Sequence, residues 1–168
     1  MARPVDPHRR AATLEKAADY VLEHGLAGLS LRPLAKALGT SPRMLLYDFG
    51  TKERLVDEIL AEIRRRLAAM LDPGRELDLA EVWAWISAPE RVPFLRLFFE
   101  VYVASFAQPE RGAPLVGDWL AVLRSRGEVD EATGTLMIAV VRGLLLDRLT
   151  ATDPERTDRA MAKFAASL

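Results

Sequence analysis

The 168-residue sequence predicts an all-α protein of about nine helices in two domains. Apolar residues recur at three- and four-residue spacing along most of the chain, which is the period of an amphipathic helix. Pro and Gly separate these segments, and one segment near the C-terminus is apolar around most of its circumference. We expect an N-terminal domain of three helices over residues 1–55 and a helical C-terminal domain over residues 56–168.

The first helix is expected to begin at Asp6 and Pro7 and to end at Gly25. Asp6 is a suitable N-cap, and Pro7 fits the first helical position because its missing N–H has no partner there. Arg9 and Arg10 lie in the first turn. Each either contacts a nucleic-acid phosphate or belongs to a solvated tail, and the sequence leaves both interpretations open. The expected buried side consists of Leu14, Ala17, Ala18, Val21 and Leu22.

Residues 30–52 predict a helix, a tight turn and a second helix. Ser30 is the expected N-cap of the first helix, which ends at Gly39. Thr40 or Ser41 can cap the second, with Pro42 at its first position. Helices joined by so short a turn cross steeply, and this geometry can place the second helix in a DNA major groove. An ordinary helical corner would show the same spacing, so spacing alone leaves both interpretations open.

Two segments carry a more specific pattern: G-x-x-G-L-S-L-R-P-L-A from Gly25 to Ala35, and L-Y-D-F-G-T-K-E-R-L from Leu46 to Leu55. In this order they resemble the DNA-binding domain of the TetR family of bacterial transcriptional regulators. The resemblance implies that Tyr47 and the lysine at the start of the next helix contact phosphates.

The chain departs from the family pattern at two points. Asp48 stands where His or Tyr is common, and its negative charge would repel a nearby phosphate. The interval from Gly39 to Tyr47 is one residue longer than the usual spacing. The register of the residues that read the bases is therefore open.

The resemblance also implies function, namely a homodimeric repressor that binds a near-palindromic DNA operator and is released by a small-molecule effector. Arg43, with Thr40 or Ser41, would read base edges, while Ser30 would contact a phosphate. The full set of candidate DNA contacts is Ser30, Arg32, Thr40, Ser41, Arg43, Met44, Tyr47 and Lys52.

The charge distribution agrees with DNA binding by the N-terminal part. Residues 1–55 carry nine Lys and Arg against six Asp and Glu, a balance of +3, and the remaining residues carry −4, which together give the net charge of −1. Residues 52–71 then predict one long helix. The run Arg64-Arg65-Arg66 on it is expected to form a solvated and partly paired face, because three consecutive residues of a helix point in different directions.

The C-terminal part is rich in aromatic residues. Asp78 and Glu81 form a capping-box pattern that opens its first helix. Its aromatic side chains are either plain core or the lining of a cavity between helices for a small apolar effector. The candidate ligand-binding residues are Trp83, Phe98, Tyr102, Ser105, Trp119 and Met137.

Residues 131–150 predict a helix that is apolar over most of its circumference, and residues 153–154 begin a final helix. A helix of this kind needs partners on all sides, so we infer self-association through two helices from each of two chains. Gly143 would permit a close approach of helices there. The candidate dimerisation residues are Leu136, Val140, Gly143, Leu144, Met161 and Phe164.

The sequence gives little support for other classes of protein, such as enzymes and metalloproteins. The sequence has no cysteine and only two histidines, and we find no metalloprotease, P-loop or dinucleotide motif. We therefore expect no catalytic residues, cofactor or metal, and no membrane segment, and we expect a cytoplasmic location. The alternative function is an all-helical small-molecule-binding or interaction protein without specific DNA binding.

Overall fold

The computed structural model describes residues 6–70, 78–107, 130–150 and 152–168. These residues form eight α-helices and no strand, which confirms the all-α prediction. Short 3₁₀ turns at Pro89–Arg91 and Ser105–Ala107 flank the sixth helix. The helices are α1 (Pro7–His24), α2 (Leu31–Ala37), α3 (Pro42–Phe49), α4 (Lys52–Ala69), α5 (Leu79–Ile86), α6 (Val92–Ala104), α7 (Glu131–Thr150) and α8 (Glu155–Ala165).

The chain divides into two compact units, one of residues 1–73 and one of residues 74–168. Helix α4 therefore belongs to the N-terminal unit, where Leu55, Ile59 and Ile63 are its buried residues. The functional boundary predicted after residue 55 stays a prediction.

The helix starts follow from local capping. The Asp6 carboxylate accepts hydrogen bonds from the backbone N–H groups of His8 and Arg9. Of the two candidates for α3, Ser41 is the cap, and its hydroxyl accepts from Met44 N at 3.2 Å. The capping box at the start of α5 is confirmed. Ser30 occupies the N-cap position of α2, but its side chain makes no capping hydrogen bond.

The core of the N-terminal unit forms where α1 packs along α4. Ala17 and Ala18 are fully buried, and their small side chains allow the two helices to approach closely. Helices α2 and α3 pack against this pair. The other buried apolar residues of the unit are Val21, Leu34, Ala35, Leu45, Phe49, Leu55, Ile59 and Ile63.

The C-terminal unit has a separate core. Its buried cluster joins α5, α6, α7 and α8 through Trp83, Ile86, Leu95, Phe99, Val141, Leu145 and Met161. A polar network closes one side of it. The Trp83 indole N–H donates to Asp158 at 2.7 Å, and Arg148 donates to the same carboxylate at 2.8 Å and to the Ser87 carbonyl oxygen at 3.2 Å.

Candidate nucleic-acid interface

Helix α3 presents two faces. Leu45 and Phe49 point into the core, whereas Arg43 and Tyr47 are exposed one turn apart on the opposite side. Leu46 is also exposed, to 41%. It was not among the predicted contacts, although the helical period that places Leu45 and Phe49 inside would have placed Leu46 toward solvent. The outer face of α3 thus offers a guanidinium, a phenol and an apolar side chain, while Met44 is half-buried.

The turn before α3 fixes how this face is presented. Gly39 has φ +68°, a left-handed conformation that favours glycine. Thr40 N donates to the Ala35 carbonyl oxygen at 2.9 Å, and Gly39 N donates to the Lys36 carbonyl oxygen at 3.2 Å. This pair of bonds is the Schellman pattern that ends a helix sharply. It holds α2 and α3 together with Ser30, Arg32 and Ser41 exposed and Thr40 half-buried.

The start of α4 forms a second polar surface. The Thr51 hydroxyl caps the helix by accepting from Arg54 N at 3.2 Å, and Lys52 is exposed at the first helical position. The first N–H groups of a helix lack intrahelical partners and carry the positive end of the helix dipole. Lys52 and this helix start can therefore bind a phosphate together.

The Asp48 side chain is buried and paired with Arg9, and does not face solvent as a free negative charge. Its side chain is only 1% exposed, and the Arg9 Nη2 atom lies 2.6 Å from its Oδ1 atom. The expectation that Asp48 would present a repelling charge to a phosphate is wrong, because the carboxylate faces the protein and is paired there. No local pattern indicates this ion pair, since its partners are 39 residues apart.

Arg10 also binds the protein, although a third of its side chain is exposed. Its Nε atom donates to the Asp48 carbonyl oxygen at 3.0 Å, and its Nη2 atom donates to both carboxylate oxygens of Glu58 at 2.6 Å. Its guanidinium lies 4.6 Å from the centre of the Phe49 ring. The interpretation of Arg10 as part of a solvated tail is therefore wrong, and its donors fix the end of α3 against α1 and α4.

The structure brings together only some of the candidate ligand-binding residues of the C-terminal unit. Phe98 and Tyr102 stack on α6 with ring centres 6.0 Å apart, and the Ser105 hydroxyl donates to the Tyr102 carbonyl oxygen at 2.7 Å. Arg142, which was not predicted, donates to the Tyr102 hydroxyl at 2.8 Å. Trp83 lies in the core, Met137 is half-buried on α7, and Trp119 lies outside the described residues.

The candidate dimerisation residues differ in how far they are exposed to solvent. Leu136 is 54% exposed on α7, Gly143 is exposed, and Val140 and Leu144 are half-buried. Leu146, which was not predicted, is 50% exposed. Met161 is only 2% exposed and packs in the unit's own core, and Phe164 packs against that core while partly buried. Little of the Met161 surface is thus left for a second chain.

Two further findings concern the described part of the chain. Over residues 6–70, 78–107, 130–150 and 152–168, no three His, Asp or Glu side chains gather into a metal-binding group. Within the same ranges no helix is long and apolar enough to cross a bilayer.

The sequence is similar to known regulators. The family model for bacterial regulatory proteins of the tetR family matches residues 14–59, from within α1 to within α4. The HTH-type transcriptional regulator BetI of Rhizobium meliloti (strain 1021) is 26% identical over 166 residues, which are 98% of this chain and 75% of that protein.

Solved structures share the fold. A crystal structure described as that of a TetR-family transcriptional regulator from Rhodococcus sp. superposes with a TM-score of 0.71 at 21% identity, over 95% of this chain and 98% of that one. The regulator SCO7518 from Streptomyces coelicolor A3(2) gives 0.69 at 25% identity, over 95% and 99% of the two chains. The multidrug binding protein EbrR, complexed with imidazole, gives 0.63 at 25% identity, over 94% and 90%.

The helix-turn-helix unit and its relatives define the class of this protein as a transcriptional regulator rather than an enzyme. Within that class, the match over α1 to α4 and the full-length similarity to BetI make the chain similar to regulators of the TetR family.

Proposed function

We propose that this chain is a homodimeric repressor that binds a near-palindromic operator and is released by a small-molecule effector. The observation that carries the proposal is the outward face of α3, where Arg43 and Tyr47 are exposed one turn apart close to the Lys52 helix start. A helix of this kind places side chains against base edges while neighbouring groups bind the phosphates. Arg43 reads a base, and Tyr47, Lys52 and Ser30 bind phosphates.

The other candidate contacts take supporting roles in this proposal. Arg32 is exposed at the start of α2 and adds a positive charge toward the backbone. Thr40 and Ser41 precede Pro42 and reach the first bases beside Arg43, and the half-buried Met44 follows Arg43 on the same helix. Operator binding of this kind takes place on bacterial DNA in the cytoplasm.

A second copy of this chain is the proposed partner of α7. Leu136, Ala139, Gly143 and Leu146 are all exposed, and their three- and four-residue spacing puts them on one stripe of the helix. A Cβ atom built on Gly143 would meet no described atom within 4 Å, so the glycine is not needed for packing against the described residues of this chain. A small residue between apolar neighbours suits the close approach of a helix from a second copy.

The proposed effector is small and apolar. Phe98 and Tyr102 supply a stacked aromatic surface. Trp119 and Met137 stay further candidates for effector binding. EbrR, which has the same fold, is described as a multidrug binding protein, and this likeness supports a ligand-binding role for the C-terminal unit. An effector releases the operator only if it binds the DNA-incompetent state more tightly than the competent one.

The test is selection of fragments from the source genome by the purified chain at about 150 mM salt with excess competitor DNA. Enrichment of a near-palindrome supports a dimeric, sequence-specific regulator and identifies its operator. The matched control is the Arg43→Ala/Lys52→Ala chain, which should enrich nothing. An equal fragment distribution from both chains would contradict the proposal and favour an interaction protein without specific DNA binding.

A further inference from the structure

The ion pair between Arg9 and Asp48 lies at the edge of the candidate DNA surface. Asp48 is in the last turn of α3, directly after the exposed Tyr47 and four residues before Lys52. Arg9 is in the first turn of α1, and its side chain is 40% exposed. A basic side chain in this place would ordinarily add one positive charge to the surface that meets the phosphates.

The pair has no net charge. DNA binding releases counterions for each phosphate that a protein cation neutralises, so the salt dependence of binding counts the cations that are free to neutralise a phosphate. Arg9 is held 2.6 Å from a full negative charge and adds almost nothing to that count. The Arg9 guanidinium is partly exposed at the surface, but the Asp48 carboxylate already neutralises its charge.

Arg9 is not free to exchange Asp48 for a phosphate. The Asp48 side chain is only 1% exposed, and no other side chain of the described residues is recorded within ion-pair distance of it. Moving Arg9 away would break a short charge-assisted bond and leave the Asp48 carboxylate without its cation, which is unfavourable. A surface phosphate pair is weaker because water and salt screen it.

We propose that Asp48 withholds Arg9 from DNA and thereby sets how strongly, and with what salt dependence, this chain binds any duplex. This inference rests on the proposed DNA-binding function. It assigns Asp48 to limiting the non-specific part of the affinity, which depends on phosphate contacts alone. The selectivity of the outward face of α3 then depends less on a general attraction to DNA.

The experiment measures the affinity for a random-sequence duplex between 50 and 200 mM salt by fluorescence anisotropy, using the full chain. Asp48→Asn keeps the size and an oxygen acceptor but removes the charge, so Arg9 becomes an uncompensated cation. The slope of log K against log salt should steepen by about 0.9, which is roughly a threefold larger loss of affinity over this range. Asp48→Asn/Arg9→Gln should return to the wild-type slope.

One control separates this effect from a change in net charge, and a replacement variant covers a loss of folding. Glu23→Gln makes the same change in net charge on an exposed carboxylate at the far end of α1, about 20 Å from Arg9 along the helix, and should leave the slope unchanged. If Asp48→Asn loses its helical circular dichroism signal, Asp48→Ala takes its place in both the single and the double variant.

The outcomes distinguish the inference from the function on which it rests. No salt-dependent binding by the wild-type chain would overturn the proposed function and this inference with it. Binding by the wild-type chain with the same slope in Asp48→Asn, or with an equal steepening in Glu23→Gln or in the double variant, would overturn the inference alone.

Discussion

The Nη2 atom of Arg10 lies 2.6 Å from both carboxylate oxygens of Glu58, so the first turn of α1 is bonded directly to α4. The same guanidinium binds the Asp48 carbonyl oxygen at the end of α3. Carbonyl groups in the last turn of a helix lack intrahelical partners, and Arg10 supplies one. Three helices therefore meet at one side chain, and the orientation of α3 depends on it.

Arg10→Ala should loosen this junction. Its bonds to Glu58 and Asp48 are charge-assisted, but the Arg10 and Glu58 side chains are 33% and 29% exposed, so we expect a loss of about 1–2 kcal/mol in the free energy of unfolding of the N-terminal unit. All three tryptophans lie in the C-terminal unit, so their fluorescence should report no change there. Hydrogen exchange of peptides from α1 and α3 measures the N-terminal unit itself.

The matched control is Lys16→Ala, which removes an exposed cation from the same helix. It should change the free energy of unfolding by less than about 0.5 kcal/mol, as ordinary surface substitutions do. Equal exchange in the Arg10→Ala and Lys16→Ala chains would show that Arg10 does not fix the junction.

Arg43 and Lys52 are predicted to act in different ways on DNA. Arg43→Ala should cost about 1–3 kcal/mol on the operator and relax the preference at one base position, because it removes a base contact. Lys52→Ala should weaken binding to all sequences similarly and reduce the salt slope by about 1, because it removes a phosphate contact. Binding of each variant to the operator and to all its single-base changes measures the base preference, and the same measurement at several salt concentrations gives the salt slope. Uniform losses for both variants would contradict the assignment of roles.

The positions of the helices could be predicted because their signals are local. Asp6 with Pro7, Ser41 with Pro42, and Asp78 with Glu81 lie next to the helix starts that they specify. Spacing of apolar residues then gives the buried side of each helix, as for Ala17 and Ala18 on α1. These features act over one or two turns, so a single sequence is enough to reveal them.

The partners of the charged side chains could not be predicted. Arg9 with Asp48, Arg10 with Glu58, and Trp83 with Asp158 are 39, 48 and 75 residues apart, and no spacing rule connects them. Their pairing depends on how the helices pack. For this reason the sequence left Arg9 and Arg10 between two interpretations and gave Asp48 a repelling role that the structure contradicts.

The exposed stripe of α7 predicts the effect of Gly143→Leu. The substitution fills space that the described residues leave open and replaces a helix-interior glycine, so the helix itself should gain up to about 1 kcal/mol. At a close interface between two copies, the same side chain prevents the approach. We therefore expect monomers in sedimentation experiments together with undiminished helical circular dichroism.

Val103→Leu, a change at another exposed apolar position, should leave the wild-type oligomeric state. Identical sedimentation of both variants would exclude this stripe as the interface.

Glu62 on α4 predicts a pH dependence of stability. Its carboxylate accepts hydrogen bonds from Arg65 and from Arg66, and Arg66 also binds Asp19 on α1. The bond from Arg65 is the largest cause that lowers the pKa of Glu62 from 4.5 to about 2, with further lowering by Arg66 and an opposing effect of burial. These pairs confirm that the arginine run forms a partly paired face.

Because the pKa of Glu62 is lower in the folded state, its contribution to stability is complete above pH 4.5 and is lost as the pH falls toward 2. The Arg65 side chain is 65% exposed and water screens its charge, so the contribution is on the order of 1 kcal/mol. Glu62→Gln should therefore be less stable than the wild type at pH 7, and more than half of the difference should disappear by about pH 3. Hydrogen exchange of α4 in urea at each pH measures this difference. Arg65→Ala should reduce the pH dependence of stability without abolishing it, since Arg66 remains bound to Glu62. A stability difference between Glu62→Gln and the wild type that stays constant from pH 7 to pH 3 would contradict the lowered pKa of Glu62.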